Sequence, residues 1–237
     1  MTGTPMFIRH FLYGLLGLFL LPAAMGLGQT FYHLLVEAQT DPAAGATLTR
    51  FLIGVAVWLV LFFVLPRPVR SYVLAHEFSH ALAAWISGEK VSNMRVGKHG
   101  GSVVVSNPTL FIALAPYMLP FYSLLLLLGT AIAGLWMDLA PWMPWMPFLL
   151  GMTWAFHLSF TILSLALGQS DIQPFGPLCA YPVIFTGNLL ILLPAIAWLA
   201  PISLETWLRL TAQNLAAAYL TVWQTAVTLI LRTVSGQ

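Results

Sequence analysis

Two histidines and a glutamate stand inside an apolar run, in Tyr72-Val73-Leu74-Ala75-His76-Glu77-Phe78-Ser79-His80-Ala81-Leu82-Ala83-Ala84. No other stretch restricts the folding of this chain as strongly. A charged side chain at the centre of a lipid-embedded helix costs about 3 kcal/mol or more, so these three groups need partners. On an α-helix His76 and His80 lie four residues apart and project from one face, where two imidazole nitrogens can hold a single Zn²⁺. Glu77 follows the first histidine, so its carboxylate can reach a water that the metal acidifies without itself taking a coordination position. The residue types and their spacing point to metal-assisted hydrolysis.

The rest of the chain sets where that chemistry would happen. It is 59% hydrophobic and only 7% charged, with a mean hydropathy of +0.88. A soluble domain carries about 25% charged residues, so the composition predicts a polytopic membrane protein. Nine Lys and Arg against seven Asp and Glu form no basic patch, which excludes a nucleic-acid partner and leaves the lipid bilayer as the surroundings. The one cysteine, Cys179, excludes an intrachain disulfide and a multi-cysteine metal site.

Taken in order, residues 8–36 form an apolar stretch long enough to cross about 30 Å of hydrocarbon. Small residues at Ala23-Ala24-Met25-Gly26 offer a possible cleavage site, but the apolar pattern continues past them and reads as a retained helix. His33 near its end reads as an interfacial histidine. A polar turn with Asp41-Pro42 precedes a second span, Phe51 to Leu65, which Pro66-Arg67-Pro68 ends. The next helix starts near Val69 and puts the histidines about 10–16 Å below that surface, where a cavity must admit water. After Ser87-Gly88, β-branched residues flank His99-Gly100-Gly101 and predict a β-hairpin. Such a hairpin is either a plain connection or an edge for an extended peptide. Further spans are expected at residues 110–136 (kinked at Pro116 and Pro120), 147–168, 178–199 and 204–232. The expected fold is an all-α polytopic membrane protein of roughly six or seven transmembrane helices with a short β-hairpin after the HExxH helix. It is expected to be one domain over residues 1–237, with a core at about 50–190 flanked by helices 8–36 and 204–232. Lysine and arginine are spread too evenly over the connections to fix its orientation.

A catalytic zinc takes three protein ligands, so the motif requires one more. Asp138, Glu89 and Glu205 are loop or terminal residues. Asp171 stands in Gly168-Gln169-Ser170-Asp171-Ile172-Gln173-Pro174-Phe175-Gly176-Pro177, a helix-breaking segment between two spans, and an acid in irregular backbone at membrane depth is a functional candidate. If the preceding helix spans fully, however, Asp171 emerges on the face opposite the start of the HExxH helix. His157 lies about 18 Å into its own helix, close to the depth of His80. Depth favours His157 and the chemistry of the interruption favours Asp171.

The segment His76-Glu77-Phe78-Ser79-His80-Ala81-Leu82, followed by a glycine-containing turn, a hairpin and a proline-bearing membrane helix, resembles the site-2 protease family of intramembrane zinc metalloproteases, in particular its small bacterial M50B-like members. The resemblance covers about residues 50–190 and is most specific at the HExxHAL segment. It implies that His76, His80 and Asp171 hold one Zn²⁺ and that Glu77 is the catalytic base. In the family the acid commonly stands in an LDG-type motif, whereas Ser170 and Ile172 flank Asp171 here. Phe156-His157-Leu158 stands where an FNL-like sequence is expected, which makes His157 a substrate- or oxyanion-side group or an alternative ligand. Asn107 is a further donor of that kind. The function so implied is an endopeptidase that cuts membrane-protein or peptide substrates in or next to transmembrane segments, in a bacterial cytoplasmic membrane. The rival is a non-proteolytic membrane protein that binds or transports a divalent metal through the same histidines. An inactive relative that holds membrane helices without cutting them is a third reading.

Overall fold

The computed structural model describes residues 6–97, 100–199 and 202–235, except for the side chains of residues 198 and 199. His99, expected in the hairpin turn, lies outside the described residues, as does Lys98. The helices are α1 (Met6–Thr40), α2 (Pro42–Val64), α3 (Val69–Ile86), α4 (Leu110–Met118), α5 (Phe121–Ala133), α6 (Met146–Leu167), α7 (Pro177–Leu199) and α8 (Leu204–Ser235), with strands β1 (Val91–Val96) and β2 (Gly101–Val105) between α3 and α4.

Among the described residues, five helices are long and apolar enough to cross a membrane, or six if α4 and α5 are taken as one span. The HExxH helix, a seventh span in the sequence reading, is not among them because its polar residues dilute its hydropathy. The all-helical membrane fold with one hairpin is as expected.

The chain divides into two compact units. One joins Met1–Ala44 with Gly176–Gln237, and the other is Gly45–Phe175. In the first, Leu27 and Leu34 of α1 pack with Leu189, Leu193 and Ile196 of α7. His33 is an exposed acceptor there: its Nδ1 takes a hydrogen bond from Asn214 Nδ2 of α8 at 3.1 Å.

The second unit holds the motif. Pro66 and Pro68 separate α2 from α3 because proline offers no amide proton to continue a helix. Gly88, at φ +75°, reverses the chain after α3 in a conformation that L side chains rarely adopt. The hairpin that follows is antiparallel, pairing Val91 with Val105 and Val96 with Gly101, and a bulge around Asn93 interrupts it between Ser92 and Arg95. Its base is tied by Ser106 Oγ, which donates to Glu89 Oε2, and by Asn107 Nδ2, which donates to Glu89 Oε1 at 3.3 Å.

Residues 110–136 are not one continuous kinked helix. They break at Leu119-Pro120 into α4 and α5, which meet at 76°. Helix α4 runs back along α3: its Ile112 carbonyl meets His80, and Tyr122, just past the break, donates to the Ser71 carbonyl at 2.9 Å. The missing amide proton of Pro120 lets the chain turn there, and the turn carries it back toward the start of α3.

Helices α2 and α6 approach closely through two glycines. A Cβ on Gly54 would lie 2.0 Å from the Phe148 carbonyl oxygen, and one on Gly151 would lie 2.0 Å from that of Phe51. Such approaches suit a membrane, where helix association rests on van der Waals contact of small residues. We expect Gly54→Leu and Gly151→Leu each to lower stability by about 1–3 kcal/mol, read as an earlier thermal transition in detergent. Gly129→Ala, where an added Cβ meets nothing within 4 Å, should leave the transition in place. Equal behaviour of the three variants would contradict the close packing.

Candidate metal centre

Helix α3 carries Tyr72, His76, Glu77 and His80. Tyr72, His76 and His80 follow one another at four-residue spacing and share one face. Glu77 and His80 are buried, with relative exposures of 6% and 8%. His80 Nδ1 lies 2.8 Å from the Ile112 carbonyl of α4. A carbonyl only accepts, so Nδ1 carries a ring proton, and in the neutral ring Nε2 keeps a bare lone pair.

That lone pair faces Asp171. The Oδ2 atom of Asp171 lies 3.3 Å from His76 Nε2 and 3.5 Å from His80 Nε2. The carboxylate is held in turn by Tyr117 of α4, whose hydroxyl donates to the same Oδ2 at 2.9 Å. Asp171 sits in a run of tight turns after α6, pinned by Ile172 and Phe175, which are 8% and 6% exposed. Gly168 and Gly176, at φ +73° and +77°, open and close this run.

The objection to Asp171 rested on the preceding helix spanning fully; α6 does run from Met146 to Leu167, yet Asp171 lies against both histidines of the HExxH helix. Ser164, near the end of α6, lies 2.5 Å from the Tyr72 hydroxyl in the first turn of α3, so the end of α6 meets the start of α3.

One ligand atom from each of His76, His80 and Asp171 lies within 4.8 Å of the other two. The donor set fits a divalent cation on electrostatic grounds. An imidazole lone pair aimed at a carboxylate oxygen repels it, and a cation held between them turns that repulsion into attraction.

The three residues and Glu77 line a cavity of about 750 Å³. Its walls are Gly101 to Val105 of β2, Phe160, Leu163 and Leu167 of α6, and the start of α4. Gly101 matters individually: a Cβ there would lie 2.6 Å from Glu77 Cγ and 2.8 Å from Glu77 Oε1. The strand backbone thus rests directly on the glutamate, which only glycine permits.

His157 and Asn107 do not join this group. His157 is buried and lines a separate cavity of about 10 Å³ with His76, Ser79 and Tyr122. Asn107 is occupied with Glu89 at the exposed base of the hairpin.

Residues 52–170 match the family described as Peptidase M50B-like, which is half of the chain. The chain belongs to the Peptidase M50B-like family. No curated protein and no solved structure matches it. The M50B-like region runs from α2 through the hairpin to the end of α6 and stops one residue short of Asp171. Together with the apolar helices, membership makes the chain a multi-pass integral membrane protein. Within this M50B-like protein, sequence reading missed Tyr72, Tyr117, Ser164 and the packing role of Gly101. Tyr72 could have been found from its four-residue spacing to His76. Tyr117, far from Asp171 in the chain, gave no such signal.

Gly101→Ala should force β2 off Glu77. Hydrogen exchange at the β2 amides checks this, with faster exchange expected than in the parent protein. Unchanged exchange would contradict the contact.

Proposed function

We propose that this M50B-like protein is an intramembrane zinc metalloendopeptidase, hydrolysing peptide bonds in or next to transmembrane segments of membrane-protein substrates. The observation that carries the proposal is the convergence of His76, His80 and Asp171 on one point beside the buried Glu77, in a cavity walled by a strand. In this reading the two Nε2 atoms and the Asp171 carboxylate hold Zn²⁺. The bound ion would supply Lewis acidity, acidifying water and polarising the scissile carbonyl.

The chain's own groups do the rest. Glu77 takes the proton of the attacking water and returns it to the leaving amine. Burial of Glu77 under Gly101 keeps bulk solvent from competing for that proton. A helical substrate shields its amides, so the segment to be cut must first unwind. Strand β1 engages one edge of β2, and the cavity lies along residues 101–105, where an extended peptide can pair main chain with main chain. The valines, leucines and Phe160 around the cavity suit apolar side chains of such a segment. His157 and Asn107 lie outside the cavity and receive no role at the reacting carbonyl. The resemblance to small bacterial members extends the proposal to a bacterial cytoplasmic membrane.

Two measurements test this together. Glu77→Gln should lose about 10²–10⁴-fold in cleavage of a reconstituted transmembrane substrate while keeping its metal. Metal analysis of the purified protein should find zinc in the parent, in His157→Ala and in Asn107→Ala, and its loss in His76→Ala, His80→Ala and Asp171→Ala. Full cleavage by Glu77→Gln would refute the catalytic assignment. Retained zinc in Asp171→Ala with loss in His157→Ala would refute the ligand set.

A further inference from the structure

Helix α8 turns one side to its own unit and leaves the other uncovered. On the inner side Ala218 is buried, and Asn214 Nδ2 donates to Thr30 Oγ1 of α1 at 3.2 Å and to His33 Nδ1 at 3.1 Å. The carboxamide that faces the unit is thus matched. Two more face away from it. Gln213 and Gln224 are exposed, and neither side chain has a hydrogen-bond partner among the described residues. At 100° per residue both fall on the side of α8 away from Ala218, together with Arg209, Ala216 and Leu220.

Their depth makes this arrangement costly. Arg209 and Arg232 bound a stretch without charged residues, 210–231, which is about 33 Å of helix and long enough to cross the hydrocarbon. Gln213 lies one turn inside that stretch. Gln224 lies about 20 Å from one end of it and about 10 Å from the other, farther than a glutamine side chain reaches. Lipid tails offer a carboxamide no partner, so polar side chains at such depth face protein. The uncovered side of α8 is therefore a contact surface within the membrane.

Depth and chemistry together identify what covers it. A second copy inserts with the same orientation, so two α8 helices side by side run parallel, and each residue meets its equivalent at its own depth. A carboxamide carries both donors and an acceptor, so Gln213 can pair with Gln213 of the second copy and Gln224 with Gln224. Ala216, small and between them, allows the backbones to approach. Glu205 and Arg209 extend this side toward the start of the helix, and no ion pair joins them among the described residues. Across a twofold axis each of these charges can meet the opposite charge of the other copy. The surface is thus complementary to itself, whereas a different helix would have to supply amides at the same two depths.

We propose that α8 is a dimerisation helix, packing in parallel against α8 of a second copy through Gln213, Ala216, Leu220 and Gln224. Oxidative crosslinking of the full chain in membranes tests the contact. Ala216→Cys should give a covalent dimer, while Val222→Cys, exposed on another side of α8, should give none above the parent, whose one cysteine is buried. Single-molecule photobleaching in lipid bilayers then counts copies, with two steps expected for the parent. Gln213→Leu and Gln224→Leu, which suit a lipid-facing surface and so spare the fold, should each raise the dimer dissociation constant about 3–30-fold.

Single-step bleaching of the parent overturns the dimer, and so does equal crosslinking of Ala216→Cys and Val222→Cys. A crosslink from Ala216→Cys to a different protein overturns the second copy and gives the surface to another membrane partner. An undiminished dimer in the doubly substituted leucine variant overturns the role of the two glutamines.

Discussion

Asp171 Oδ2 lies between the Nε2 atoms of His76 and His80, and much of the second unit is arranged to hold it there. Two imidazoles and a carboxylate on an apolar helix are costly unless they are matched. The match comes from a loop about ninety residues later in the chain, which needs a deep anchor to keep its acid in place. Ile172 and Phe175 provide that anchor on either side of Pro174, and Tyr117 fixes the oxygen from α4. The return of α4 along α3 brings both Tyr117 and the Ile112 carbonyl to the centre. A helix break that looks like a defect in a transmembrane span is thus what lets one short helix brace two of the three candidate ligands.

The hairpin completes the arrangement from the opposite wall. Strand β2 touches Glu77 through Gly101 and continues past the centre as Ser102 to Val105. A strand laid over a buried glutamate does two things in the proposed reaction. It limits the water that reaches the carboxylate, and it offers a main-chain template along the same cavity.

Much of this was legible in the sequence, for identifiable physical reasons. The four-residue spacing of His76 and His80, the proline stops at Pro66 and Pro68, the β-branched runs around Gly100-Gly101 and the helix-breaking composition near Asp171 are local signals, and each acts within a turn or two of the chain. What was not legible depends on long-range geometry. A proline at 120 announces a kink but not a 76° break, and a count of depth along the helix before Asp171 could not show that the acid meets the HExxH histidines. His157 had the right depth and the right chemistry, and it lines a small cavity with His76 rather than the large one that Glu77 and Asp171 share. Tyr117 and Ser164 are polar residues in apolar helices, and only the packed structure shows what each one meets, Asp171 for Tyr117 and the Tyr72 hydroxyl for Ser164.

The central claim is that two imidazoles and one carboxylate complete a metal site in the membrane region of this protein. X-ray absorption at the zinc edge, on protein purified in detergent without added chelator, tests it most directly. The account predicts a shell of two histidine nitrogens with a carboxylate oxygen at about 2.0–2.2 Å, the oxygen contribution disappearing in Asp171→Ala. A shell of three imidazoles, or one unchanged by that substitution, would contradict it.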